Sequence, residues 1–139
     1  AESGGYTHDI IYSPSVPFFR NDAGRLLDGP YLADIVTAAA PNVGSMRRTS
    51  PDDDPESLLR ERIPRVLDVF AQHEVIDVVL GAWGCGVFGN SPTVVANLFA
   101  EELRGRFLGR FRRVIFAVLD TSMAQDFASA FHTDMLPPK

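Results

Sequence analysis

Glycines at positions 84, 86 and 89 crowd the stretch GAWGCGVFGN (81–90), which joins an apolar run to a helical pattern. Lacking a Cβ, Gly84, Gly86 and Gly89 tolerate positive φ and let the backbone come close to a ligand. Successive N–H groups can then converge on an anion, helped by the N-terminus of the helix that follows. A hydrogen bond to a charged group contributes about 1.5–3 kcal/mol, so three or four amides suffice to hold a diphosphate without Lys or Arg. The alternative is a turn that only lets helix and sheet pack closely. Gly84-Cys85-Gly86-Val87-Phe88-Gly89 also spells G-x-G-x-x-G, the dinucleotide fingerprint. Two features speak against a nicotinamide site. The last glycine of that fingerprint lies inside the helix, whereas Ser91-Pro92 delays the helix here, and no acidic residue follows about 20 positions on at a strand end. No Gly-Lys-Ser/Thr is present, so the loop is not a Walker P-loop either.

Other residues invite chemistry less strongly. Cys85, near a helix start, has the place of an activated nucleophile, but His8, His73 and His132 have no telling spacing to it. Three scattered histidines form no metal-ligand pattern, so no metal and no cofactor is expected. Trp83 fits core packing better than base stacking. Tyr12 and Phe18-Phe19 either lean over a cleft or anchor the core, and Asp120 either touches a ribose or caps a helix.

Four apolar segments must position this loop: 9–13 (DIIYS), 34–38 (DIVTA), 75–80 (VIDVVL) and 114–119 (VIFAVL). Short, rich in Ile and Val and nearly continuous, they read as strands covered on both faces. Helical stripes lie between them. In 92–106, Val95, Leu98, Phe99 and Leu103 share a face, with Ser91 as cap and Pro92 at the first position. In 56–73 the stripe is Leu59, Ile63, Val66, Leu67 and Phe70, and Pro64 predicts a kink or two short helices. A last helix is predicted over 123–132, capped by Ser122. Segment 14–30 reads as a long ordered loop or a short hairpin, and 42–57 (NVGSMRRTSPDDDPES) as a mobile surface loop. The alternation predicts an α/β fold with right-handed crossovers.

Composition narrows the function classes. The 139 residues suit one domain, 45% of them are apolar, and the net charge is −5. Arg47-Arg48 and Arg112-Arg113 are too sparse for a nucleic-acid stripe, and no apolar run approaches the roughly 20 residues of a membrane span. The single cysteine fits a reducing compartment, hence a cytoplasmic protein.

Taken in order, IIYSPSVPFFRNDAGRLL, TAAAPN, LGAWGCGVFGNSP and FAVLD resemble the microbial-type poly(ADP-ribose) glycohydrolases, over most of the chain. The resemblance implies a macrodomain-like, three-layer α/β/α sandwich with a mixed, mostly parallel sheet. It implies that ADP-ribose or poly(ADP-ribose) is bound, in the setting of a DNA damage response. The loop Gly84, Cys85, Gly86, Val87, Phe88, Gly89 and Asn90 would cradle the diphosphate, with Phe88 near the ribose that bears the scissile bond. Val118 and Leu119 would wall the adenine, and Thr37, at another strand end, would border the same cleft.

The family's reaction cleaves ribose–ribose O-glycosidic bonds, with a glutamate of a Gly-Gly-Gly…Gln-Glu-Glu signature as general acid. That signature does not occur in these residues, so no catalytic residue is assigned. In the family it precedes the region matched here, so the chain is expected to be the C-terminal half of such an enzyme, inactive alone; the alternative is a non-catalytic ADP-ribose-binding macrodomain. Four strands where about six are normal would leave a sheet edge and an apolar face uncovered. Pairing with an N-terminal half or a second copy is therefore expected, and a cooperative monomeric unfolding transition of residues 1–139 alone would refute this.

Overall fold

Residues 4–132 are described by a computed structural model of the chain. β1 (Ile10–Arg20) and β2 (Leu26–Ala38) form an antiparallel hairpin, so the open reading of 14–30 resolves as hairpin, with strands longer than the sequence pattern suggested. Asn21 closes the turn: its side-chain oxygen accepts from the amides of Ala23 and Arg25, both at 3.0 Å, and Gly24 sits at φ +75°. Pro14 falls where the register shifts between Ser13 and Val16, and Pro17, in register with Leu32, is tolerated because β1 pairs on one edge only.

The expected mobile loop 42–57 is instead largely ordered helix, which corrects that reading. α1 (Val43–Thr49) is capped by Asn42, whose side chain accepts from the Ser45 amide at 3.0 Å, and is anchored by the buried Met46. α2 (Pro55–Gln72) begins at Asp54, which accepts from the amides of Glu56 and Ser57 at 3.2 and 3.0 Å. Of the three consecutive aspartates 52–54, the last is therefore a cap. Asp54→Ala is expected to destabilise the protein by about 1 kcal/mol, with the change confined to the start of α2 in amide exchange. α2 runs through Pro64 as one helix, which rules out the two-helix alternative.

β3 (Asp77–Leu80) and β4 (Arg113–Phe116) pair in parallel, with α3 (Pro92–Arg104) as the crossover. Ser91 caps α3 as expected, but α4 (Thr121–Phe131) is capped by Asp120, which accepts from the Met123 amide at 2.9 Å, not by Ser122. Asp120 is better placed as a cap because it directly precedes the first helical residue, Thr121, whereas Ser122 already lies within the first turn. Between the two readings offered for Asp120, the structure selects the cap.

Strands and helices alternate through the second half as an α/β fold requires, with one antiparallel and one parallel ladder. α2, α3 and α4 share one core built on Leu59, Ile63, Leu67, Val95, Phe99 and Phe127, against which Leu80 and Phe116 pack. A second cluster, Val66, Phe70 and Val78, joins α2 to Val36 and Ala38 of β2. Val79 and Ile115, paired across the parallel ladder, are exposed. Among the described residues no helix is long and apolar enough to cross a membrane.

Candidate functional site

The carboxyl ends of β3 and β4 lie side by side, the Ala117 amide donating to the Leu80 carbonyl at 2.7 Å. The 81–90 loop leaves β3 there, where α/β folds bind ligands. Its turns are closed internally. The amides of Cys85, Gly89 and Asn90 donate to the carbonyls of Ala82, Gly86 and Gly84 at 3.0, 3.0 and 3.1 Å. The amides of Gly86, Val87 and Phe88 have no acceptor among the described residues. Three consecutive donors ahead of α3 are thus unpaired among the described residues, an arrangement able to donate to an anion in a chain of net charge −5. Gly86 and Val87 are exposed and Phe88 is half-buried.

The three glycines serve different ends. At Gly84, φ is +73° and an added Cβ would stand 2.5 Å from Ala40 Cβ and 2.6 Å from Asn90 Nδ2. Gly89, at φ +72°, needs the backbone conformation but has room. Gly86 has neither demand, and a Cβ there meets nothing within 4 Å. Its smallness matters only for what approaches from outside.

A frame holds the loop. Asn90, buried, donates through Nδ2 to the carbonyls of Pro41 and Gly84 at 2.7 and 2.8 Å. Those two acceptors fix the amide's orientation and leave Oδ1 buried without a partner among the described residues. Trp83 Nε1 donates to the Ala38 carbonyl at 3.1 Å, and the Val43 amide donates to the Phe88 carbonyl at 2.9 Å. Segment 38–43 is thereby lashed to the glycine loop at three places. Trp83 belongs to both apolar clusters, as the packing reading had it.

Two residues of this frame escaped the sequence reading. Arg62 is fully buried on α2, with no carboxylate directly on its guanidinium among the described residues. It donates to the carbonyls of Ala39 at 2.6 Å and Gly5 at 2.9 Å, and through Nε to His8 Nδ1 at 3.2 Å. Burial lowers its pKa, the charge of Glu61 opposes that, and Arg65 adds to it. His8 Nε2, the other ring nitrogen, faces Glu61 at 3.4 Å. Tyr6, at φ +55°, stacks on Phe88 with ring centroids 5.9 Å apart. An arginine on an apolar stripe, at the position next to Ile63, was the one available signal for the hub.

Of the residues expected at the site, Gly84, Cys85, Gly86, Val87, Phe88, Gly89 and Asn90 form one loop. Thr37 is exposed on β2 and lines a cavity of about 310 Å³ with Gly81 and Trp83. Val118 joins the helical core and lines a separate cavity of about 580 Å³ with Phe116 and Phe127, while Leu119 is fully exposed. Tyr12 donates to Asp34 and stacks on His73, and Phe18 stacks on Tyr31, so these rings are occupied along the hairpin. The histidines go separate ways: His8 to Arg62, His73 to Tyr12 and His132 to the Ala128 carbonyl.

Cys85 is buried, and burial, with a smaller contribution from the charge of Asp126, pushes its thiol up to about 11. It is a neutral thiol at physiological pH, unlike an activated nucleophile. Iodoacetamide at pH 8 is expected to alkylate Cys85 at least about 100-fold more slowly than free cysteine. Rapid alkylation of the folded protein would reopen the nucleophile reading.

No family model and no curated relative matches the chain. Solved structures do. A poly(ADP-ribose) glycohydrolase from Deinococcus radiodurans in complex with ADP-ribose is 49% identical, with a TM-score of 0.84 over 93% of this chain and 53% of that one. The enzyme from Thermomonospora curvata is 44% identical, with a TM-score of 0.85 over 93% of this chain and 49% of that one. The chain therefore spans about half the length of these structures. In sequence and in fold, the chain is similar to about half of each of these bacterial poly(ADP-ribose) glycohydrolases.

Proposed function

We propose that this chain binds ADP-ribose at the 84–90 loop and forms the C-terminal, diphosphate-holding half of a poly(ADP-ribose) glycohydrolase. The observation that carries this reading is the run of three unpaired amides at Gly86, Val87 and Phe88. It is supported by the similarity to a glycohydrolase in complex with ADP-ribose. Phe88, steadied by Tyr6, offers an apolar face beside those amides for the adjoining ribose. The loop holds the diphosphate, and the general acid that protonates the leaving ribose oxygen comes from the other half. Val118 and Leu119 would reach adenine only beyond the end of β4, and Thr37 would border the cleft from β2. A single buried thiol suits a cytoplasmic setting.

The test is calorimetric titration with ADP-ribose. Micromolar binding is expected, weakened at least about 100-fold in Gly86→Val. Because a Cβ at position 86 meets no neighbour, that variant keeps its stability. Equal affinity in wild type and Gly86→Val would remove the cradle from the account. A non-catalytic ADP-ribose-binding module is the second reading. It predicts the same binding but no release of ADP-ribose from polymer when the complementary half is joined on.

A further inference from the structure

We propose that Arg47 and Arg48 of α1 form a second anion subsite, which holds phosphates of the polymer unit on the leaving side of the bond that is cut. Both side chains are exposed, and neither has a partner among the described residues. By contrast, Arg60, Arg65, Arg106, Arg112 and Arg113 each meet a carboxylate. Asp52 and Asp53 follow α1 within a few residues, yet neither is ion-paired with the two arginines. A basic residue in the last turn of a helix is ordinary, because it complements the carbonyl end. What singles this pair out is where α1 is fixed.

Both ends of α1 are tied to Phe88 or to the segment that packs on it. At the start, the Val43 amide donates to the Phe88 carbonyl at 2.9 Å, and the Asn42 amide to the Gly4 carbonyl at 2.7 Å. At the end, Thr49 Oγ1 accepts from the Gly4 amide at 3.4 Å. Two residues beyond Gly4, the Tyr6 ring stacks on Phe88. Arg47 and Arg48 therefore stand about 6–8 Å along the helix from the Phe88 contact, on an element that is held to it. This rests on the reading of the 84–90 loop as the diphosphate cradle. The amides of 86–88, the Phe88 ring and α1 then take, in that order, the diphosphate, the ribose that bears the scissile bond, and the next unit of the chain.

The chemistry of the pair suits a phosphate chain. A guanidinium keeps its charge and presents a planar fork that pairs with phosphate oxygens two at a time. Successive residues on a helix diverge by about 100°, so the two forks line a path and do not close on one phosphate. Free ADP-ribose ends at Phe88 and leaves them empty, whereas a polymer continues past it. Two arginines are too few to capture a nucleic acid from solution. A chain already held at the glycine loop meets them at high effective concentration, so even a weak contact counts. The subsite thus separates polymer from free ADP-ribose.

The test compares wild type with the double variants Arg47→Gln/Arg48→Gln and Arg47→Lys/Arg48→Lys, each joined to the complementary half. Affinity for poly(ADP-ribose) is read as Kd if the joined protein leaves the polymer intact and as KM if it cuts it, and affinity for ADP-ribose by calorimetry. The glutamine variant is expected to weaken polymer binding at least about 10-fold and to keep ADP-ribose affinity within about twofold. Its salt dependence falls too, the log–log slope losing about 1–1.5 for two phosphate contacts. The lysine variant keeps the charges and is expected to retain most of the polymer affinity, which shows that the loss is not one of folding. Unchanged polymer affinity in the glutamine variant would overturn the proposal, as would an equal loss for ADP-ribose. A DNA oligonucleotide bound as tightly as the polymer, with the same loss, would make the pair a nucleic-acid contact and overturn it too. Gly86→Val keeps the two claims apart: its ADP-ribose affinity reads the cradle alone, and the ratio of polymer to ADP-ribose affinity in the arginine variants reads the second subsite alone.

Discussion

Gly84→Val is expected to abolish measurable ADP-ribose binding and to destabilise the protein by about 2–6 kcal/mol. The residue stands in the left-handed region, which costs a β-branched side chain about 1–3 kcal/mol. Its Cβ would also collide with Ala40 and with the Asn90 amide, and overpacking of that kind costs about 1–3 kcal/mol. Neither neighbour can move freely. Ala40 is buried, and Asn90 Nδ2 is held by two carbonyls, one of them that of Gly84 itself. Displacing Asn90 breaks the tie to Pro41 and re-aims the three amides that follow. Gly89→Ala gives the matched comparison, since it has the same backbone demand without the collision. It is expected to cost only about 1 kcal/mol and to keep most of the affinity. Urea unfolding and calorimetry on the two variants decide the point. Equal penalties would show that the backbone conformation alone, not the packing against 40 and 90, shapes the loop.

The second large effect is at Arg62. Arg62→Met is expected to destabilise the protein by about 3–5 kcal/mol, a large fraction of the roughly 5–15 kcal/mol that holds a domain together. The buried guanidinium is the common donor for Gly5 and His8 of the N-terminal segment and for Ala39 just after β2, and so ties the two together. Methionine fills much of the volume but leaves those acceptors without a donor, so the loss is in hydrogen bonding and not in packing. Lysine is not a substitute, because one ammonium on a flexible stem cannot span three divergent acceptors. Arg62→Lys is therefore expected to recover less than half of the lost stability. Because Tyr6 follows Gly5 directly and stacks on Phe88, both variants are also expected to weaken ADP-ribose binding. A loss under about 1 kcal/mol for Arg62→Met would mean that water replaces the guanidinium and that the hub is incidental.

How far the sequence reveals this molecule depends on how local each signal is. The glycine loop was readable because its demands are written into three residues and a capped helix start, Ser91-Pro92. The stripes of α2 and α3 were readable for the same reason, since their apolar positions recur on one face. α1 was not, because a seven-residue helix with one buried anchor, Met46, carries no periodicity. The extent of the hairpin was hidden by Pro14, Pro17 and Pro30, which a register shift and an edge position tolerate. The Arg62 hub lay further out of reach. Its acceptors are backbone carbonyls 23 and 57 residues away, and carbonyls have no spelling. Nothing in the spelling of the loop announced that Asn90 also locks it, its Nδ2 donating to Pro41 and Gly84.

The measurement that bears most directly on the account is the response of individual backbone amides to ADP-ribose in a ¹H–¹⁵N correlation spectrum. The account predicts that the amides of Gly86, Val87 and Phe88 shift most, downfield as they begin to donate to phosphate oxygens. Cys85, Gly89 and Asn90, whose amides already close the turns, would move little. Shifts concentrated around Val118 and Phe127, with 86–88 unmoved, would place the ligand in the cavity between α3, β4 and α4 and contradict the central claim.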